Sequence, residues 1–228
     1  MQADDILAIF MENYVNNFDP LDVVEAHFRQ ENGIIATITV FNGGREEQVF
    51  TAQGIETTYI HIGARDIRGC IACGRCAETG RCVFDDIVNE VAPLFAACYG
   101  LVVGSPVYYA SANATLVALL TRLFYSTPFD KTMKVGASVV AARRGGLSST
   151  FDELNKFFTI SGMPVASSQY WNSIHGRAPG EAAQDAEGLQ TMRTLARNMA
   201  FLVKSIALGK AQYGLPQREP AQRTNFIR

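Results

Sequence analysis

Hydrophobic positions along this chain change period in blocks, and the blocks alternate. Ile87, Val88, Val91, Leu94, Phe95 and Cys98 fall on one helical face, with Asp85 and Asp86 at its positive N-terminal end. Pro93 in that stretch predicts a bend. Leu101-Val102-Val103-Gly104 is a short unbroken apolar run, the pattern of a parallel strand buried on both faces. A helix capped by Ser111 follows, its face made of Leu116, Leu119, Leu120, Leu123 and Phe124. A strand from Val135 to Ala142, a helix from Ser148 or Ser149 to about Phe158, and a strand from Pro164 to Tyr170 come next. Leu189, Met192, Leu195, Ala196, Met199, Leu202, Val203 and Ile206 form the longest helical stripe in the chain, and it reads as core packing.

The N-terminal quarter is less regular. Ile6, Ile9, Phe10, Asn13, Tyr14 and Asn17 follow a helical rhythm with polar interruptions, predicting an amphipathic helix over 4–18. Asp19-Pro20 restarts the chain, and a second helix over 20–31 ends at Asn32-Gly33. The β-branched run Ile34 to Phe41 predicts a strand. Gln48 to Thr51 suits the return arm of a hairpin, 45–53 equally a short helix, and Thr57 to Ile62 another strand.

Strands alternating with helices predict an α/β fold, a doubly wound parallel sheet with helices on both faces and an atypical N-terminal segment. The expected division is a helical extension over 1–33, a main domain over 34–215 and a polar, basic arm over 216–228.

Composition narrows the function classes. Lys plus Arg is 20 and Asp plus Glu 22 in 228 residues, a net charge of −2, so a dedicated nucleic-acid binder is not expected. The most apolar stretch, Val91 to Leu120, is cut by Pro93, Gly100, Gly104, Ser105, Pro106 and Asn113, which leaves no membrane span. The chain opens Met1-Gln2-Ala3-Asp4-Asp5, acidic where a secretory signal is basic, which predicts a cytoplasmic protein with reduced thiols.

Four of the five cysteines, Cys70, Cys73, Cys76 and Cys82, lie within thirteen residues in the spacing C-x2-C-x2-C-x5-C. Two-residue gaps let neighbouring thiolates converge from one tight loop, and Gly69, Gly74 and Gly80 give that loop backbone freedom. Such a set suits an iron–sulfur cluster, a tetrahedral zinc ion, or metal-free thiols that include a redox-active pair. Cys98 sits in an apolar run and reads as core.

Ligands of an open α/β sheet bind beyond the carboxyl ends of its strands. Two loops stand out there. Gly104-Ser105-Pro106-Val107-Tyr108-Tyr109-Ala110-Ser111 offers backbone N–H groups for the edge of a planar heterocycle, with two tyrosine faces beside it. Arg143, Arg144, Gly145 and Gly146 allow close backbone approach and place positive charge beside an anion or a reduced ring. Of three histidines, His27 and His61 read as structural, while His175 in a loop is within reach of the site.

The run Gly69-Cys70-Ile71-Ala72-Cys73-Gly74-Arg75-Cys76 through Cys82, followed by Gly104-Ser105-Pro106-Val107-Tyr108-Tyr109, resembles the flavodoxin-like NAD(P)H-dependent FMN reductases, and among them the iron–sulfur flavoprotein branch. The similarity spans Gly54 to Arg228. It implies a flavodoxin-like fold, FMN as cofactor, NAD(P)H as reductant, and a homodimer or homotetramer with the flavin near a subunit interface. It further implies that Ser105 to Ser111 embrace the isoalloxazine, that Arg143 to Gly146 flank it, and that Cys70, Cys73, Cys76 and Cys82 match the ligand spacing of a 4Fe–4S cluster.

That family opens with a strand and a Gly-Ser-Pro-x-x-x-Gly-Asn-Thr type loop whose N–H groups hold the FMN phosphate. The counterpart here is Val40-Phe41-Asn42-Gly43-Gly44-Arg45, which keeps the strand and the Asn42-Gly43 pair but not the rest. The expected activity is an FMN-dependent NAD(P)H oxidoreductase passing electrons to a quinone, a second flavin or a redox protein. The alternatives are an iron–sulfur flavoprotein dedicated to electron transfer, and a non-catalytic flavodoxin-like module.

Overall fold

A computed structural model describes residues 6–10, 23–28, 36–41, 57–62, 65–178, 180–222, 224 and 226. The elements in chain order are β1 (Ile6–Phe10), β2 (Val23–Phe28), β3 (Ala36–Phe41), β4 (Thr57–His61), α1 (Arg75–Thr79), α2 (Ile87–Ala97), β5 (Gly100–Tyr108), β6 (Ser111–Ala112), α3 (Ala114–Ser126), β7 (Val135–Ala142), α4 (Leu147–Ile160), β8 (Ser173–His175) and α5 (Ala186–Tyr213). The central strands run parallel in the order β4-β1-β5-β7-β8. Counting these five alone, that is the 2-1-3-4-5 order of the flavodoxin fold, with its switch point between β1 and β5.

Strand β5 shows why its sequence is apolar without alternation. Leu101 and Val103 face one core, with Val91 and Phe95 of α2, Leu119 and Leu123 of α3, and Leu154 and Phe158 of α4. Val102 faces the other core, against Met192, Leu195, Met199 and Val203 of α5. Helices on both sides leave neither face for water, so selection for a polar face is absent. On α5 the stripe residues Met192, Leu195, Ala196, Met199 and Val203 are buried, Leu189, Leu202 and Ile206 are half-buried, and Cys98 is core at 1% exposure. Pro93 lies inside α2, which continues to Ala97, and Leu94 is exposed rather than buried.

Where the N-terminal segments are described, over Ile6–Phe10 and Val23–Phe28, they are strands and not the helices predicted from the sequence. The 4–18 segment contributes β1, which pairs with both β4 and β5 in the middle of the sheet. Ile6-Leu7-Ala8-Ile9-Phe10 is a five-residue apolar run, and such a run fits a helix face or a doubly paired strand equally well until its partners are known. The 20–31 segment contributes β2, antiparallel to β3 in a separate two-stranded sheet. The first strand of the central sheet thus comes from the segment expected to be an extension. The strand expected over 164–170 is reduced to one bridge, Gly136 to Val165, and the edge strand is β8. Residues 45–53 lie outside the described residues.

Candidate functional site

At the carboxyl end of β5 the chain folds straight back. Val107 pairs with Ala112 and Tyr108 with Ser111, leaving Tyr109 and Ala110 as a two-residue hairpin tip. Both tip residues have positive φ, 51° and 61°, the signature of a I′ turn built without glycine. Such a conformation is costly for residues with a Cβ and persists only when its surroundings fix it. They do. Glu153 on α4 accepts from the Ser111 hydroxyl at 2.7 Å and the Ala112 N–H at 2.8 Å. The Ser149 hydroxyl donates to the Ala110 carbonyl at 2.8 Å. Ser105 is buried, and its Oγ accepts from the Asn113 N–H at 2.9 Å. Asn113, rather than Ser111, caps α3, accepting from the N–H groups of Thr115 and Leu116.

The result is a fixed platform beside the switch point. Tyr109 is fully exposed, and Tyr108 is partly buried, which pushes its phenol pKa up. The second predicted loop is packed against the first. A Cβ on Gly146, whose φ is 88°, would sit 2.9 Å from Ala110 Cα and from Val107 Cγ1. Gly145 has open space over it, so a planar ligand has access to the backbone there. Arg143 and Arg144 are exposed at the same turn.

His175 is not in a loop but ends β8, in register with Ala142 at the end of β7. Its Nδ1 stands 3.4 Å from Asp185 Oδ2, and its N–H donates to the same carboxylate at 2.7 Å. Burial opposes the Asp185 charge, but the N–H groups of Gly188 and His175 and the His175 ring outweigh it and hold the carboxyl below its usual range. Asn42 and Gly43 lie outside the described residues. Among the described residues the strand before them, β3, pairs with β2, and β1 is the first strand of the central sheet. The side chains of His27 and His61 are likewise not described, and His27 is on a strand, not a helix.

The cysteines form a second locus. Cys70, Cys73, Cys76 and Cys82 all line one pocket, together with Phe84, Arg122 and Ser126. The loop turns through positive φ at Ala72, Gly74 and Gly80 around the short helix α1, which carries Cys76. Asn89 on α2 clamps its end: Nδ2 donates to the Cys82 and Phe84 carbonyls, and Oδ1 accepts from the Cys82 N–H. Cys70 and Cys73 are exposed, whereas Cys76 and Cys82 are half-buried.

Arg122, on α3, is 1% exposed and is the key residue that the sequence reading passed over. Its guanidinium pairs with both oxygens of Asp86, at 2.7 and 2.9 Å. Its Nε and Nη2 also point at Cys82 Sγ, at 3.3 and 3.2 Å. Burial works against the charge, but the Asp86 and Cys82 partners prevail and keep the group protonated. The available signal was a lone cation on the apolar face between Leu119 and Leu123. Glu153 was missed because nothing local in its sequence marks a contact made 42 residues away.

Among the described residues no three His, Cys, Asp or Glu side chains are gathered around a point that suits a single metal ion. A multi-iron cluster takes its four sulfurs at separate corners, so a pocket ringed by thiols fits it better than a single-ion site. The Arg122 donors facing Sγ, and the buried Ser126 hydroxyl that has no partner among the described residues, are compatible with an anionic sulfur-ligated group.

The family model for NADPH-dependent FMN reductases matches residues 45–177. An iron–sulfur flavoprotein of Methanocaldococcus jannaschii is 34% identical over 165 residues, covering 68% of this chain and 84% of its own. One of Methanosarcina thermophila is 30% identical over 167 residues, covering 72% and 86%. In structure the chain is similar to the WrbA-like flavodoxin of Agrobacterium tumefaciens, with a TM-score of 0.51 at 13% identity over 89% of this chain and 98% of that one, a likeness of fold.

Proposed function

The chain belongs to the NADPH-dependent FMN reductase family, in its flavodoxin-like iron–sulfur flavoprotein branch, and from that premise we propose that it is an FMN-dependent NAD(P)H oxidoreductase delivering electrons to a quinone, a second flavin or a redox protein. The observation that carries this reading is the rigid Tyr108–Ser111 hairpin at the carboxyl end of β5, with the Arg143–Gly146 turn packed on it. FMN, when bound, supplies two-electron uptake from a nicotinamide and release of electrons to an acceptor. The chain's own part is placement. Ser105 to Ser111 offer backbone donors and two aromatic faces, held in one geometry by Glu153 and Ser149. Arg143 and Arg144 place positive charge where a reduced ring becomes anionic. Cys70, Cys73, Cys76 and Cys82 would hold a 4Fe–4S cluster, with Arg122 offsetting its negative charge.

The working form in this proposal is a cytoplasmic homodimer or homotetramer with a small-molecule or protein acceptor. Among the described residues no helix is long and apolar enough to cross a membrane. A second reading, electron transfer without a substrate of its own, draws on the buried cation at the cysteine pocket. The test is anaerobic purification followed by absorption spectroscopy, metal analysis and turnover. Flavin bands at about 450 nm are expected, with roughly four iron and four sulfide per chain. Steady NAD(P)H oxidation with a quinone alone supports the oxidoreductase, and oxidation that requires a protein partner supports the second reading. A colourless protein that takes up no added FMN overturns both.

A further inference from the structure

Helix α3 contributes two polar side chains to the lining of the cysteine pocket. Arg122 and Ser126 are four residues apart, so they stack on one face of the helix, and both line the pocket. Both are buried, at 1% and 2% exposure. Asp86 fixes the plane of the guanidinium by taking Nη1 and Nη2, and in that plane Nε and Nη2 are left facing Cys82 Sγ. A hydroxyl in the last turn of a helix ordinarily returns its proton to the carbonyl four residues back. The neighbouring Thr127 does this, donating to the Leu123 carbonyl at 2.6 Å. Ser126 does not, and among the described residues its Oγ has no hydrogen-bond partner. A buried hydroxyl left dry is rare in a native fold and calls for an acceptor. Sulfur atoms of a group seated among the four cysteines, which line the same pocket, would be such acceptors.

We propose that Arg122 and Ser126 form a hydrogen-bonding floor that acts on the sulfurs of the iron–sulfur group held by Cys70, Cys73, Cys76 and Cys82, and raises its reduction potential. This rests on the reading that these cysteines hold a cluster. Hydrogen bonds to cluster sulfurs and a nearby cation draw electron density away, which favours the reduced state because it carries one more negative charge. Arg122 contributes charge and two donors at Cys82. Ser126 contributes one neutral donor. They are positioning residues: neither is required to ligate iron.

The experiment uses the full chain reconstituted anaerobically with iron and sulfide. Wild type, Ser126→Ala, Arg122→Lys and Arg122→Gln are assayed for iron and sulfide, and the midpoint potential is read by titration monitored by electron paramagnetic resonance. Ser126→Ala is expected to load as wild type does and to titrate at a more negative potential. Arg122→Gln shifts further in the same direction, and Arg122→Lys, which keeps the charge but not the paired donors, falls between. Should Arg122→Gln fail to hold its cluster, Ser126→Ala and Arg122→Lys decide. Loaded variants whose potential equals that of wild type overturn the floor and leave the cluster reading intact. A wild-type chain that takes up neither iron nor sulfide overturns the cluster reading, and the floor with it.

Discussion

One carboxylate oxygen of Glu153 holds Ser111 by two consecutive groups, the Ser111 hydroxyl at 2.7 Å and the N–H of the following Ala112 at 2.8 Å. The contact ties α4 to the short strand that shapes the hairpin tip. Without it, Tyr109 and Ala110 have less reason to keep positive φ. Glu153→Ala should destabilise the chain by about 1–3 kcal/mol, the cost of stranding partly buried donors. It should also weaken FMN binding, read by quenching of flavin fluorescence. Ser111→Ala should cost less, because the Ala112 N–H keeps its acceptor. Equal flavin affinity in Glu153→Ala and wild type would contradict the anchoring role.

Adjacent glycines in the second loop should behave differently. Gly146→Ala puts a Cβ 2.9 Å from Ala110 and Val107 at a φ of 88°, so urea unfolding should show a loss of roughly 1–3 kcal/mol. Gly145→Ala meets nothing within 4 Å and should leave stability within about 0.5 kcal/mol of wild type. If a flat ligand lies over this turn, Gly145→Ala should still reduce FMN affinity. A variant unchanged in both properties would argue that the ligand sits elsewhere.

Asp185 caps α5, accepting from the Gly188 N–H at 2.9 Å while its other oxygen takes the His175 N–H. Its native carboxyl lies below the ordinary 3.8, so it contributes stability above that value and loses the contribution as pH falls through the native pKa. Acid unfolding of Asp185→Asn should accordingly be flatter than wild type below about pH 4. Asp185→Ala should cost about 1–2 kcal/mol at neutral pH through loss of the cap. A variant with the wild-type acid profile would remove Asp185 from the account.

Asp86 both caps α2, accepting from the Val88 N–H at 3.1 Å, and neutralises the buried Arg122. Its own side chain is 25% exposed, so water softens the loss of either partner. Asp86→Ala should still cost about 3 kcal/mol, since breaking a buried pair strands the remaining charge. Chemical denaturation of the apo chain measures it. A cost no larger than that of Asp185→Ala would mean that Arg122 finds solvent or another acceptor.

How much was legible divides along one physical line. The helical stripe of α5, the strand β7 and the apolar run within β5 were readable because each is buried by its own pattern, whatever its partners. The cysteine spacing and the Gly104–Ser111 loop were readable because their chemistry is contiguous in sequence. The first strand was not. Ile6 to Phe10 takes its state from β4 and β5, more than forty residues further on, and no local signal separates a paired apolar run from a helix face.

Sequence by itself therefore determined the alternation of strands and helices, the thiol spacing and the two loops that ring the candidate flavin site. Only the tertiary structure decided which strand opens the sheet, that a hairpin without glycine at its tip is held by Glu153, and that Arg122 and Ser126 line the cysteine pocket. The reason is that each of these depends on a partner distant in the chain. Such a bond fixes no residue type on its own side, so it exists only once the sheet has brought both ends together.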